Sequence, residues 1–215
     1  MESKQSTTIP QAESTNMKAR PNLSSAKPRP TSGFSLLELV VVTAVIFTLL
    51  GVGLPFFTQA YRDYQLNDAA TQVAGVLKAA RFEAIRRNVA VNCVIAQGGA
   101  PVVTNMWVDS NGDGNEQGTE TQILLRGTLT LVAAATVPST GALAAGVGVA
   151  ALTAIPPAAA VITFDFRGAV NPAGVYAIYI NDLAPNAGYR AVILLPSGAI
   201  QVWTASAAGG WRQTS

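Results

Sequence analysis

The chain has 215 residues, of which 49% are hydrophobic and 12% are charged, with no histidine and a single cysteine, Cys93. This composition excludes Ser-His-Asp triads, Cys-His dyads, histidine-ligated zinc and intramolecular disulfides, and it argues against a wholly disordered chain. The formal net charge of +2 is a weak indication of an anionic partner.

Residues 1–33 form a polar segment rich in Ser, Thr and Pro, with five basic and two acidic residues. Such a composition without an apolar period is typical of a disordered segment. Positive charge before an apolar run predicts that the N-terminus stays in the cytoplasm. From residue 34 onward nine basic residues face ten acidic ones, so the positive net charge belongs to this first segment and says little about nucleic acid.

The apolar run 34–57 contains one charged residue, Glu38. As a helix it would extend roughly 36 Å at ~1.5 Å per residue, which is enough to cross a bilayer core of ~30 Å. The run is too long for a secretory signal peptide, and Pro55-Phe56-Phe57 is a poor cleavage site. A plain membrane anchor is the alternative, but an acidic side chain inside an apolar helix favours a functional role for Glu38.

The segment Gly33-Phe34-Ser35-Leu36-Leu37-Glu38-Leu39 resembles the processing site of type IV pilins and type II secretion pseudopilins. The shared features are a glycine, an aromatic residue after it, an apolar run with Glu at its fifth position, and basic residues upstream. The resemblance implies that a prepilin peptidase cuts after Gly33 and methylates the new N-terminal residue, Phe34. The leader would then be residues 1–33, longer than is usual in that family.

The same resemblance implies a role for Glu38 in assembly. After cleavage Phe34 would carry a positively charged amine, and pairing between neighbouring subunits would offset the desolvation of both charges. Glu38 would thereby set the register of a subunit entering a helical filament. The implied location is the bacterial inner membrane, crossed once, with a cytoplasmic N-terminus and a periplasmic globular domain, and later the pilus or pseudopilus.

Residues 58–90 are predicted to form an amphipathic helix. Apolar residues such as Leu66, Val73 and Leu77 recur at three- and four-residue steps, and most charges lie off that stripe. The stretch 80–88, ARFEAIRRN, is similar to a hallmark of the GspH/FimT group of minor pseudopilins. An ordinary helix end with basic residues near its C-terminus is the alternative.

Residues 91–215 are predicted to form a β-rich, GspH/FimT-like globular domain. Short β-branched and aromatic runs separated by Gly-, Asn- and Pro-containing turns indicate antiparallel strands. The predicted strands cover 89–95, 102–108, 122–126, 129–132, 161–166, 175–180, 189–195 and 200–203. Together with the helix they predict an α+β fold, in which a long N-terminal helix packs on antiparallel sheets. The resemblance to pilins implies the same architecture.

Two further expectations concern this domain. Cys93, in the first predicted strand, is expected to be a small buried apolar side chain. The Ala- and Gly-rich stretch 133–160 is expected to be a long surface loop with at most one weak strand.

A metal motif lies between two of the predicted strands. Residues 109–120 fit the pattern D-x-[DN]-x-[DN]-G-x5-E of a calcium-binding loop, and Gly114 permits the bend around an ion. The predicted calcium ligands are Asp109, Asn111, Asp113, Asn115 and Glu120. Flanking strands argue against an EF-hand, and a polar hairpin turn is the alternative. The amino-acid sequence of the loop also resembles that of the hairpin in the GspH/FimT domain.

The leading functional expectation is structural. The chain would be a minor pilin or pseudopilin, processed by prepilin peptidase and assembled with other pilin subunits near the tip of a type II secretion pseudopilus or type IV pilus. The alternative is a DNA-binding minor pilin for natural transformation, for which the resemblance implies a Gly-Arg-x-Arg stretch. The matching place, 197–201, has no arginine, and Arg167, Arg190 and Arg212 are scattered, which argues against nucleic acid as a partner.

An enzyme is not expected. Without histidine, a GxSxG motif or a phosphate-binding glycine loop, only paired carboxylates could act as acid and base. Asp165 and Asp182 are the candidates, and neither lies in a recognisable motif. No cofactor other than calcium is predicted.

Overall fold

The computed structural model describes residues 33–125, 127–184 and 187–214, with the side chain of Pro55 left aside. The predicted leader, apart from Gly33, therefore lies outside the described residues. The chain divides into one unit ending at Val45 and a second beginning at Ile46. The elements are α1 Leu36–Arg87, β1 Val91–Gly98, β2 Val103–Asp109, β3 Gln122–Leu125, β4 Leu129–Val132, a 3-10 turn Ala134–Thr136, α2 Thr140–Val147, β5 Thr153–Ala154, β6 Ala159–Phe164, β7 Val170–Asn171, β8 Tyr176–Asp182, β9 Tyr189–Leu194, β10 Ile200–Ser206 and β11 Gly209–Gln213.

The first unit contains the beginning of α1. Its large apolar side chains are exposed, including Leu36 at 82% and Val40 at 52%. The helix to which they belong is long and apolar enough to cross a membrane, with a mean hydropathy of 2.5 over its most apolar stretch, none of which is buried. Exposed leucines and valines over such a length are stable in lipid and costly in water.

In the second unit, α1 supplies one wall of the core. The apolar positions recur every three or four residues, so they share one face of the helix. The buried positions are Leu66, Ala69, Ala70, Val73, Ala74, Val76, Leu77, Ala80 and Ala84. Since most of these side chains are small, the sheets can approach the helix closely.

The helix ends at Arg87, three residues before the predicted end. Asn88 takes the left-handed conformation, with φ of 56°. Its N–H donates to the Ile85 carbonyl at 3.3 Å, and the Val89 N–H donates to the Ala84 carbonyl at 3.3 Å. This pair of hydrogen bonds is a Schellman motif, and asparagine is the usual substitute for glycine there.

Two sheets pack against this helix. Sheet 1 has the order β3-β2-β1-β6-β7, and sheet 2 has the order β11-β10-β9-β8-β4, with β5 beside β8. All pairings are antiparallel except the short parallel pair of β5 and β8. One core joins α1 to inward residues of both sheets, such as Cys93, Phe164, Ile180 and Val192. The predicted α+β fold with antiparallel sheets is confirmed.

The stretch 133–160 is not the long surface loop that its composition suggested. It contains a 3-10 turn, α2, β5 and the start of β6, and it covers the outer face of sheet 2. Leu143 of α2 is fully buried there, in a second apolar cluster with Tyr179, Ile193 and Trp203. In this eight-residue helix only Leu143 and Val147 are large apolar residues, and the rest is mostly Ala and Gly, so the stretch is too short to establish a helical period.

The two sheets meet beneath α1 at a pair of glycine turns. Gly168, between β6 and β7, has φ of 78°, and Gly198, between β9 and β10, has φ of 76°. A Cβ on Gly198 would lie 1.9 Å from the Gly168 carbonyl oxygen. The Val170 N–H also donates to the Pro196 carbonyl at 3.0 Å, so the sheets touch backbone to backbone.

A buried arginine ties sheet 2 to the helix. Arg190 of β9 is 4% exposed. Its Nε donates to Asn67 Oδ1 at 2.6 Å, and its Nη2 donates to Asp63 Oδ1 at 3.2 Å. Burial of a guanidinium requires such partners, because an unpaired buried charge is costly.

Candidate processing and assembly segment

Gly33 and Phe34 precede the first turn of α1, outside regular structure. Phe34 is 77% exposed. A Cβ built on Gly33 would have no heavy atom within 4 Å. The fold of the described residues therefore does not require glycine at position 33, and any requirement for it would have to come from a molecule that recognises the segment.

Ser35 caps the N-terminus of α1. Its Oγ accepts the Leu37 N–H at 3.3 Å, and its carbonyl accepts the Leu39 N–H at 3.1 Å. Glu38 lies in the first turn, where the free backbone N–H groups favour a negative charge. Ser35 and Glu38 thus have the S-x-x-E spacing of a capping box, a helix-start signal that is readable in the sequence.

Glu38 is exposed on the surface of the helix, between apolar neighbours. Leu37 is 72% exposed and Leu39 is 58% exposed. None of the ion pairs within the described part of the chain involves Glu38. In a bilayer this carboxylate would need a counter-charge from another molecule or from a new N-terminus.

The segment 80–88 at the other end of α1 connects the helix to the loop after β2. Glu83 accepts from Arg86 Nη2 at 2.7 Å and also pairs with Arg87 Nε. These hydrogen bonds hold the pKa of the Glu83 carboxyl below its usual range, and the one from Arg86 has the largest effect. Arg87 Nη1 in turn donates to the Ser110 carbonyl at 2.7 Å, so this segment has a structural role in the described fold.

The loop 109–120 is organised by two buried carboxylates. Asp109, 3% exposed, accepts the Gly112 N–H at 2.7 Å and the Gly114 N–H at 3.1 Å. Glu120, 8% exposed, accepts the Ser110 N–H at 2.9 Å and the Gln117 N–H at 3.2 Å. Both carboxylates therefore satisfy backbone donors of the loop, which is the common role of acidic side chains in turns.

The other predicted ligands bond to one another. The Asn115 N–H donates to Asp113 Oδ1 at 2.7 Å and, with the amides of Asn111 and Gln117, holds the pKa of the Asp113 carboxyl below its usual range. Among the described residues, no group of three or more His, Cys, Asp or Glu side chains is arranged to hold a metal ion. The described structure thus does not bring Asp109, Asp113 and Glu120 together, and calcium binding stays a prediction from the sequence.

We expect Asp109→Ala to destabilise the protein by about 2 kcal/mol in EDTA, because two backbone N–H groups lose their acceptor. Asp113→Ala, at the exposed tip of the same loop, should leave the melting temperature nearly unchanged. Thermal unfolding in EDTA and in millimolar calcium distinguishes the two roles. A calcium-dependent rise in Tm that both substitutions remove would instead support metal coordination.

Other predicted residues have clear positions. Cys93 is fully buried, as expected, and burial raises the pKa of its thiol to about 12. Arg190 is buried against α1 and cannot contact a phosphate backbone, which weakens the DNA-binding alternative. Asp165 accepts the Arg167 and Ala169 N–H groups in a turn of sheet 1, whereas Asp182 ends β8 in sheet 2. These two carboxylates each lie in a different sheet.

Comparison with known proteins finds a family match and a similar solved structure. The sequence model of the family described as type II transport protein GspH matches residues 69–198, more than half of the chain. The crystal structure of the type IV minor pilin FimU from Pseudomonas aeruginosa (strain PAO1) is similar to this chain at 18% identity and a TM-score of 0.44, covering 65% of this chain and 89% of that one. No curated protein matches the sequence.

Proposed function

The chain belongs to the GspH family of type II transport proteins, and from this premise we propose that it is a minor pilin or pseudopilin. It is inserted in the inner membrane through α1, processed between Gly33 and Phe34, and assembled with other pilin subunits near the tip of a type II secretion pseudopilus or type IV pilus. The globular domain lies in the periplasm. The role is structural rather than enzymatic, in keeping with the family.

One observation carries the assembly step: Glu38 is the only charge in the apolar run 34–57, and no ion pair of the described chain includes it. An isolated carboxylate costs several kcal/mol in lipid, roughly 2.5–3.5 kcal/mol at mid-bilayer on insertion scales. The amine that cleavage creates on Phe34 of a neighbouring subunit would remove that cost. Uncleaved or unassembled chains would retain it.

The positive segment 1–33 supports the proposed orientation. Basic residues next to an apolar run remain on the cytoplasmic side. The proposed peptidase acts on that side, so Gly33 and Phe34 would be accessible to it before assembly.

We expect Glu38→Ala to be processed normally but to reach the filament fraction at least about tenfold less than the unsubstituted chain. The physical reason is the loss of one partner of a buried ion pair, which leaves the other charge unpaired. Immunoblots of membrane and sheared-filament fractions from the native host measure the ratio.

Thr43→Ala is the matched control. Thr43 lies on the same helix and donates to the Val40 carbonyl of its own turn, at 2.9 Å, so its loss should leave assembly unchanged. Assembly of the Glu38→Ala chain at the normal level would contradict the proposed role of the carboxylate.

A further inference from the structure

Strand β8 carries an acidic residue at an inward position. Alternate residues of the strand face α1, and Ile178 and Ile180 belong to the core that includes that helix. Asp182 is the next residue on this face and is 1% exposed. The strand thus places a carboxylate where its periodicity calls for an apolar side chain.

Only half of this carboxylate is satisfied. Asp182 Oδ1 accepts the Ala184 N–H at 3.0 Å. Oδ2 is buried and has no hydrogen-bond partner among the residues that the structure describes. A buried, unpaired carboxylate oxygen is destabilising by a substantial fraction of a protein's net stability, so a donor from another molecule is expected.

A cavity of about 300 Å³ adjoins Asp182, between the end of β8 and α1. Its lining also includes Phe57, Tyr61 and Arg62 of the helix. Arg62 takes part in none of the ion pairs found in the described chain. The cavity therefore combines one anionic group, one cationic group and two aromatic rings.

The aromatic residues lie where the apolar run of α1 ends. Phe57 is the last residue of that run, 72% exposed, and Tyr61 and Tyr64 follow on the helix at 55% and 68% exposure. About 20 helical residues cross a bilayer core, so a span beginning at residue 34 reaches the headgroup layer shortly before Phe57. Aromatic side chains at this depth are characteristic of membrane–water interfaces.

We infer that this cavity binds the headgroup of an aminophospholipid. The Asp182 carboxylate rotates to present Oδ2 to the cavity and accepts from the primary ammonium. The phosphodiester pairs with Arg62, and the glycerol and first methylenes pack against Phe57 and Tyr61. A zwitterion satisfies both the acid and the base, whereas a lysine from a neighbouring subunit would satisfy the acid alone. The inference rests on the membrane insertion proposed above.

The test is lipid retention by the full-length protein in mild detergent, measured by native mass spectrometry. Equal amounts of dioleoyl phosphatidylethanolamine, phosphatidylcholine and phosphatidylglycerol are added. We expect one bound phosphatidylethanolamine, retained about tenfold more than phosphatidylcholine, whose trimethylammonium has no N–H to donate. That ratio corresponds to one hydrogen bond to a charged group. Phosphatidylglycerol, whose headgroup hydroxyls are weaker donors than an ammonium, should be retained less than phosphatidylethanolamine.

Two substitutions address the two charges. Asp182→Asn should bring the phosphatidylethanolamine to phosphatidylcholine ratio close to one, and Arg62→Gln should weaken retention of both lipids. Asp68→Asn and Lys78→Gln change exposed charges elsewhere on α1 and should change neither value. Because Arg62 makes no ion pair in the described fold, its variant remains informative even if Asp182→Asn fails to fold.

Equal retention of the three lipids by the unsubstituted protein would overturn the inference, as would normal retention by Arg62→Gln. Equal retention of the three lipids would be expected if a lysine of another pilin subunit were the natural occupant. The outcome is independent of the Glu38 experiment: loss of lipid preference with Glu38-dependent assembly intact removes this site and leaves the proposed function standing.

Discussion

Replacing Gly33 with arginine should abolish removal of the leader, leaving the chain at its full length with an unmethylated N-terminus. The resemblance of 33–39 to a prepilin cleavage site places the cut after Gly33, and a long charged side chain at that position should not fit a peptidase that accepts glycine. Mass spectrometry of the protein from membranes of the native host gives the N-terminal residue directly.

The structure indicates that Gly33→Arg can test processing without affecting the stability of the fold. A Cβ on Gly33 meets no heavy atom within 4 Å, so the substitution should leave the melting temperature of the globular domain unchanged. Gly33→Ala is the matched control, since it adds only a methyl group and should be processed at least in part. A Gly33→Arg chain that still begins at Phe34 would contradict the proposed site.

The second large effect concerns stability. Gly198→Ala should destabilise the protein by about 4 kcal/mol, roughly 10 °C in Tm for a domain of this size. The new Cβ would lie 1.9 Å from the Gly168 carbonyl oxygen and 2.9 Å from Arg81 Nε. Backbone atoms cannot move aside as a flexible side chain can, so the turns that join the two sheets must separate. Thermal unfolding of the full-length protein measures the shift.

Gly112→Ala separates steric overlap from backbone strain. Gly112 has φ of 79°, close to that of Gly198, but a Cβ there would meet nothing within 4 Å. Its substitution should cost only the left-handed conformation, about 1–2 kcal/mol. If the two variants lost the same stability, the close approach of Gly198 to Gly168 would not be the reason that position 198 requires glycine.

Helices and strands whose signals come from residues close together in the chain were predicted well from the sequence. The strand β4 agrees with its prediction at both ends, and β1, β2, β6 and β8 begin within two residues of theirs. Helix α1 ends three residues before its predicted end because Asn88 adopts a left-handed conformation. The 3.6-residue period of apolar positions does not indicate where such a residue ends a helix.

The proposed processing and assembly segment rests on the sequence, because its features are contiguous. Gly33, Phe34 and Glu38 lie within six positions, ahead of one apolar run. Calcium binding by the metal motif stays a prediction. The spacing of Asp109 and Glu120 suits calcium, but backbone N–H groups of the same loop take up their oxygens in the described structure.

The sequence by itself predicted the long N-terminal helix, with an apolar run long enough to cross a membrane, and most strands, since each follows from periodicity or from residues close together in the chain. The processing segment at Gly33 and Phe34 stays a prediction. Only the tertiary structure decided three features that join distant residues. It packs α2 against Trp203, brings the Gly198 turn against Gly168, and places Asp182 and Arg62 in the lining of one cavity. Contacts between residues far apart in sequence form when the two sheets pack against α1. Local propensity and periodicity do not specify which of these distant residues come into contact.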